Sequence, residues 1–313
     1  MQSFEHYIIT VFNVDRGFDK TDKRNNPEYL EKRFELFELV TVPSITSQTN
    51  QNFTWFVFFD SGTPDKFKKR VKEIFKLTNC LPVYVDGENQ ILPFLKGRLS
   101  SKTQYLVTTN LDNDDALHKN FVKLIHSNFR DEQIYFLNFP FGYMLRKDGL
   151  LMREYFSSPF HTIIEPVSEQ LLTCLSVPHY HLYSLFLKGV PVYQIPTEPA
   201  WLQLVHDTNV SNCLDVNAVL VFDLNKIDNF GINTILPHFT ELYNAEFSRL
   251  KFCLRLISDK NKSYKHRAKL LVYTLLPFLA PLRIKLKFFF QPLKKQLNQW
   301  SLSDIRRLIS DID

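Results

Sequence analysis

The sequence predicts an α/β protein built on a mostly parallel sheet. Apolar, β-branched runs of strand length alternate with segments whose apolar residues recur every three to four positions. The runs are continuous rather than alternating, as in strands covered on both faces. At 313 residues, 44% hydrophobic and with 29 Phe, the chain has ample material for a large core.

"HYIITVFNV" reads as the first strand. "NPEYLEKRFELFELVTVPSI" follows as a helix, with Leu30, Phe34, Phe37 and Val40 or Thr41 on one side, Pro27 near its start and Pro43 expected to end it. "FTWFVFFD" is a second strand, "PDKFKKRVKEIFKL" an amphipathic helix, and "LPVYVDG" and "TQYLVTTNLD" two further strands. "DALHKNFVKLIHSNF" is expected to be a helix beginning directly behind the acidic residues. "QIYFLNFPFGYML" and "GLLMREYF" read as strands around the turn at Lys147-Asp148-Gly149, "VPHYHLYSLFL" as a helix and "VPVYQIPT" as a strand. From about residue 240 long basic helical stretches take over, broken near Pro277, Pro281 and Pro292. The expected division is therefore a catalytic domain over 1–240 and a helical C-terminal extension over 241–313.

Charge follows the same division. The net charge is +5, but residues 249–313 carry 15 Lys/Arg against 4 Asp/Glu, so the rest of the chain is net acidic. No run reaches the roughly 18 apolar residues of a membrane span, and the first residues lack the pattern of a secretory signal. Four Cys without a CxxC spacing argue against a zinc site and for reduced thiols, hence a cytoplasmic protein.

In open α/β sheets ligands bind beyond the carboxyl ends of the strands. Two strands here end in acid: one at Asp60, the other in "NLDNDD", with Asp112, Asp114 and Asp115. Hard oxygen ligands in a short loop suit Mg²⁺ or Mn²⁺, completed by water and substrate phosphates. The competing reading is that Asp114 or Asp115 caps the helix that follows. Asp60 likewise reads either as a ligand contact or as the start of an Asx-turn.

"RFELFELVTVPSITSQTNQNFTWFVFFDSGTPD", "LVTTNLDNDDALHKNFV" and "PAWLQLVHDTNVSN" together resemble the rhamnosyltransferase family of bacterial glycosyltransferases, over roughly residues 5–225. The resemblance implies a GT-A-like, Rossmann-type mixed sheet and a nucleotide-sugar donor carrying dTDP, UDP or GDP. It makes Asp112 and Asp114 the metal-binding D-x-D pair, Asp115 a support that bonds the sugar or caps, and Asp60 a contact to the nucleobase or ribose. Asn110 departs from the Arg that the resemblance implies before the acidic loop, which weakens the case for a phosphate or sugar contact from that position.

The segment "EPAWLQLVHDTNVSN" supplies the second half of the expected site. His206 reads as a third metal ligand, a diphosphate contact or an interior histidine. Trp201 reads as a wall against a sugar ring or as core. Asn209, Ser211 and Asn212 offer polar contacts. Inverting transfer needs a base for the acceptor hydroxyl. Glu165 is preferred because its apolar approach would raise its pKa, with Asp207 and Glu198 as alternatives. Arg16, Arg33, Arg98 and Lys102 are spare cations for phosphate. The tail interleaves cations with Leu, Phe and Trp300, which suits a helix lying on an anionic membrane or packing on a partner, and not nucleic-acid binding.

These readings converge on a metal-dependent transferase moving a sugar, by resemblance L-rhamnose, onto a glycan or lipid-linked glycan, working in the cytoplasm or at the inner membrane face. The alternatives are a nucleotidyl- or phosphotransferase using the same acidic edge, and a non-catalytic subunit docking polysaccharide enzymes at the membrane.

Overall fold

The structure is a computed structural model that describes residues 3–16, 24–76, 80–146, 149–206, 218–221 and 223–232, with single residues between 247 and 308. Strand β1 (Phe4–Val11) is followed by helix α1 (Pro27–Leu36), which the Asn26 side chain caps by accepting from the amides of Glu28 and Tyr29. Pro43 does not end this helix. A five-residue π-turn, Phe37–Thr41, lets the Val42 amide reach back to the Phe37 carbonyl, and the helix continues as α2 (Val42–Thr46). The altered register absorbs the amide that proline lacks.

The chain then alternates through β2 (Thr54–Asp60), α3 (Asp65–Phe75), β3 (Cys80–Val85), α4 (Ile91–Arg98) and β4 (Tyr105–Asn110). Beyond β4 the expected helix starts late. Ala116–Leu117 form a short strand, β5, paired with a distant segment, and α5 (Phe121–Ser127) begins only after Asn120. Neither Asp114 nor Asp115 therefore caps a helix. The predicted strand "QIYFLNFPFGYML" divides at Phe139-Pro140 into β6 (Tyr135–Asn138) and β7 (Phe141–Arg146), and β7 forms the expected hairpin with β8 (Gly149–Glu154). Then come β9 (Thr162–Pro166), a 3-10 turn at His179–His181 leading into α6 (Leu182–Leu187), β10 (Val192–Gln194), β11 (Trp201–Val205) and β12 (Val219–Val221).

Seven strands form the main sheet in the order β10-β6-β9-β4-β1-β2-β3. Only β9 runs antiparallel to its neighbours. One face packs Ile8, Trp55, Val57, Phe59 and Val107 against α1, α3 and α5. The other packs Ile9, Phe56, Phe58, Leu106 and Phe136 against α4 and α6, and Leu308 also joins this face. A five-stranded sheet, β12-β8-β7-β11-β5, closes over Phe230 and Ile232. The α/β class and the mostly parallel sheet are thus present as predicted. The turn residues Lys147 and Asp148 and most of the extension over 241–313 lie outside the described residues. No helix among the described residues is long and apolar enough to cross a membrane.

Candidate active site at the sheet rim

Because β1, β2 and β4 are parallel, the residues that follow them meet at one edge. Asn13, just past β1, accepts from the Asp60 amide at 3.1 Å and donates to Asn25 Oδ1 at 2.8 Å and Thr63 Oγ1 at 3.0 Å. Asp60 is buried. Its Oδ1 accepts from the Gly62 amide at 2.7 Å and from Asn25 at 3.1 Å, while Arg24 Nε lies 3.4 Å from Oδ2. The Asx-turn reading of Asp60 is therefore realised, within an asparagine-rich network that composition alone did not reveal.

The acidic loop begins at Asn110, which donates to Asp112 Oδ1 at 3.3 Å and to the Pro159 carbonyl at 3.1 Å. Its three aspartates have distinct surroundings. Asp112 meets solvent; desolvation and the Asp114 charge push its carboxyl up. Asp114 is buried, with Oδ2 2.9 Å from both Arg33 Nη1 and His206 Nε2. Burial pushes its carboxyl up, but the His206 hydrogen bond and the Arg33 guanidinium outweigh that and hold it below the ordinary value. Asp115 is almost fully buried, and its Oδ1 accepts from the Leu204 amide at 2.9 Å. Desolvation, then the charges of Asp114 and Asp112, push it well above the ordinary carboxylate range.

Arg33 is the one spare cation of the four that reaches the acidic loop; its second amino group also bonds Asn113, whose amide donates to the Phe12 carbonyl at 2.9 Å. Arg16 pairs with Glu88 at 2.9 Å. Arg98 and Lys102 lie near Glu5 and Ser3, at the opposite end of the strands.

Sequence reasoning missed the far wall of this rim. Asn138 ends β6 and is fully buried, accepting from the Ser158 amide at 2.9 Å and donating to the Phe156 carbonyl at 2.6 Å. His179 lies 2.8 Å through Nδ1 from the Ser157 carbonyl, close enough to Asp112 for their charges to interact. A carbonyl only accepts, so Nδ1 carries the proton and the neutral ring offers Nε2 as a base. Burial holds the His179 ring below its ordinary pKa. Nothing in the local pattern of "VPHYHLY" sets this residue apart, since the 155–161 crossing that brings it to the rim is a tertiary feature.

Three expectations need correcting. Trp201 faces no ligand: it is fully buried, stacks on Phe160 at 5.3 Å, and donates its indole N–H to the Phe139 carbonyl at 2.8 Å. Glu165 is also fully buried and accepts from the Leu172 amide at 2.8 Å. Because β9 runs antiparallel to β4, Glu165 pairs with Leu106, four residues or about 13 Å below the Asn110 end of β4, and is no base for a substrate there. Glu198 precedes β11, whereas His206 follows it, so the length of that strand, about 17 Å, separates Glu198 from Asp114. Asp207, Asn209, Ser211 and Asn212 lie outside the described residues.

Among the described residues no group of three or more His, Cys, Asp or Glu is arranged to hold a metal ion. His206 directs Nε2 at Asp114, so here it partners a carboxylate instead of completing a ligand triad. The carboxylate oxygens that could be offered to a Mg²⁺-type ion are those of Asp112 and Oδ1 of Asp114, since Oδ2 already accepts from two donors. One or two carboxylates completed by water and phosphate is the ordinary arrangement for that ion.

A mostly parallel α/β sheet with asparagine and aspartate side chains gathered at its carboxyl edge offers a polar ligand site where such sheets bind their substrates. Residues 18–217 match the family described as "Putative rhamnosyl transferase". The chain belongs to that family and is a glycosyltransferase by class. Among solved structures, the S. aureus TarS fragment 1–349 is 9% identical with a TM-score of 0.37, covering 94% of this chain and 77% of that one. A cytidylyltransferase from Leptospira borgpetersenii is 12% identical with a TM-score of 0.35, covering 64% and 78%. An inositol-1-phosphate CTP transferase from T. maritima is 10% identical with a TM-score of 0.34, covering 68% and 94%. No curated protein matches the chain.

Proposed function

We propose that the protein transfers a sugar, L-rhamnose by its family, from a nucleoside-diphosphate donor to a glycan acceptor at the rim of the main sheet. The observation that supports this most is the acidic pair Asp112 and Asp114 directly beyond β4, in a chain of the rhamnosyl transferase family.

Asp112 and Oδ1 of Asp114 would hold Mn²⁺ or Mg²⁺, an ion that when bound neutralises a diphosphate leaving group. Arg33 and His206 fix the Asp114 carboxylate from behind. Asp115 anchors the loop to β11 through the Leu204 amide. The Asn13–Asn25–Asp60 network lies at the end of β2, where it suits the hydroxyls of a ribose or the edge of a base. In the transfer the acceptor oxygen bonds to the anomeric carbon as the carbon–phosphate-oxygen bond breaks, and the bonding pair leaves with the diphosphate. The hydroxyl proton goes to Asp207, next to His206, or to Nε2 of His179.

The excess of Lys and Arg beyond residue 248 suits an anionic membrane surface, which would keep the enzyme near a lipid-linked acceptor. Phe247, Leu250 and Leu254 are exposed at helical spacing beside Lys251 and Arg255, which suits that use.

Calorimetric titration with UDP, GDP and dTDP, with and without Mn²⁺, tests the reading. One nucleotide binds in a Mn²⁺-dependent manner, and binding disappears in Asp112→Ala. Metal-dependent binding that survives both Asp112→Ala and Asp114→Ala would overturn the site. Release of a nucleoside monophosphate plus sugar phosphate, instead of a nucleoside diphosphate plus sugar, would identify a nucleotidyl-transferring enzyme.

A further inference from the structure

We infer that the exposed face of the segment His179–Leu187 is the acceptor subsite, and that it takes the sugar rings of a glycan chain. This inference rests on the reading of the rim as a donor site and adds the second substrate to it.

The sequence folds this segment as a 3-10 turn running into α6, with Leu182 and Leu185 buried in the core. Tyr180, Tyr183 and Leu187 recur at three and four residues, so they share the opposite face. They are 60%, 51% and 67% exposed, the largest apolar exposures in 149–206. A soluble surface seldom leaves such side chains grouped unless they meet a partner.

The face is continuous with the candidate site. His179, at its start, bonds the Ser157 carbonyl and interacts with the charge of Asp112. From there the rings run outward: Tyr155 to His179 at 5.8 Å, His179 to Tyr180 at 5.8 Å, and Tyr180 to His181 at 4.3 Å. Tyr183 is braced edge-on by Phe156 at 5.2 Å, so its ring is fixed before any ligand arrives. From Tyr180 to Leu187 the segment spans about 10 Å, enough for two linked pyranose rings.

The chemistry of the face favours a carbohydrate. A pyranose presents an apolar C–H face and a rim of hydroxyls. Tyrosine matches both with a flat ring and a polar tip, and it loses little conformational freedom in doing so. The same segment carries the polar side chains of His181, Ser184 and Lys188, which can bond sugar hydroxyls. A lipid-facing patch would be aliphatic with several cations, the character of Phe247, Leu250 and Leu254 and their basic neighbours.

The test uses the full-length protein with three probes: methyl α-L-rhamnoside, methyl β-D-glucoside and methyl N-acetyl-β-D-glucosaminide. Saturation-transfer NMR should show magnetisation passing from aromatic protons to the C–H face of at least one glycoside. Tyr180→Ala and Tyr183→Ala should weaken that binding by about tenfold each, the size of one lost ring contact. Their thermal unfolding and nucleotide titrations should match the wild type. No transfer to any glycoside, or transfer unchanged in both variants, overturns the subsite while leaving the donor site standing. Tyrosine rings shielded from a soluble paramagnetic probe in the wild type would mean that the chain's own tail covers the face, and overturn it. Loss of binding to phosphatidylglycerol vesicles in the variants, with glycoside binding retained, would assign the face to lipid instead. Failure of any nucleotide to bind the wild type defeats the donor reading, and the subsite with it.

Discussion

Nη1 of Arg33 lies 2.9 Å from Oδ2 of Asp114, and the two side chains come from α1 and from the loop beyond β4. The His206 hydrogen bond and then this guanidinium hold Asp114 below its ordinary pKa in spite of its burial. Both partners are largely shielded from solvent, so Arg33→Ala should cost about 1.5–3 kcal/mol at neutral pH, the range for a hydrogen bond to a charged group. Asp114 is held below its ordinary pKa, so its stabilisation is full above about pH 4 and is lost as the pH falls through the native value. The deficit of Arg33→Ala in urea unfolding should accordingly shrink between pH 7 and pH 3. An equal deficit at both ends would mean that the lost stability came from packing and not from the ion pair.

Asp115 behaves in the opposite sense. Its carboxyl is pushed up, so ionising it destabilises the fold, and that penalty grows as the pH rises through its native pKa. Asp115→Asn keeps an oxygen to accept from the Leu204 amide while removing the charge. The variant should be at least as stable as the wild type at pH 7 and less sensitive to rising pH. Asp112→Asn should likewise not lower stability at pH 7, because desolvation and the Asp114 charge push that carboxyl up too, yet it should lose metal-dependent nucleotide binding. Thermal unfolding across pH checks both variants, and a large loss of stability in Asp115→Asn would contradict the assigned burial penalty.

These differences explain how far the sequence could be read. The main sheet was legible because "HYIITVFNV", "FTWFVFFD" and "TQYLVTT" are local patterns, and parallel connection then carries Asp60 and Asp112 to one rim. The unequal roles of the aspartates were not legible. They depend on Ala116–Leu117 pairing with β11, some 85 residues on, which buries Asp115 and delays the helix. Glu165 was misjudged for a related reason. "HTIIEP" shows an apolar approach but not the direction of β9, and reversal of that one strand moves the glutamate from rim to interior. Trp201 looks the same in sequence whether it faces a ligand or packs on Phe160.

His161 makes a prediction about acid. It is nearly fully buried, packed 6.4 Å from the Phe136 ring, and its pKa is pushed down to about 4, chiefly by burial and then by the charge of His179. A lowered histidine stabilises fully above its unfolded value near 6.5, and that stability is lost as the pH falls toward the native value. The span corresponds to about 3 kcal/mol for His161 alone. His6 and His126, 3.1 Å apart, are both held low by burial and act with the same sign. Unfolding free energy should therefore drop steeply from pH 6.5 to 4, and His161→Phe should remove about one proton's worth of that slope. A slope unchanged in His161→Phe would place the acid sensitivity elsewhere.

Gly142 and Trp201 face each other across the parallel pair β7–β11. A Cβ at position 142 would collide with the indole ring, which cannot swing aside because Phe160 stacks on it and its N–H is bonded to the Phe139 carbonyl. Gly142→Ala should then destabilise by about 3 kcal/mol, the upper end for overpacking a core. Trp201→Leu alone should also destabilise, through lost burial and an orphaned carbonyl. Combined, the two changes should cost less than their sum, because the leucine vacates the space that the new methyl needs. Urea unfolding of the double-mutant cycle measures this coupling. The same samples report on the acidic loop, since Trp201 lies three residues before Leu204, whose amide holds Asp115. Displacing the indole should therefore weaken nucleotide binding in Gly142→Ala, and restoring the packing in the double variant should recover it.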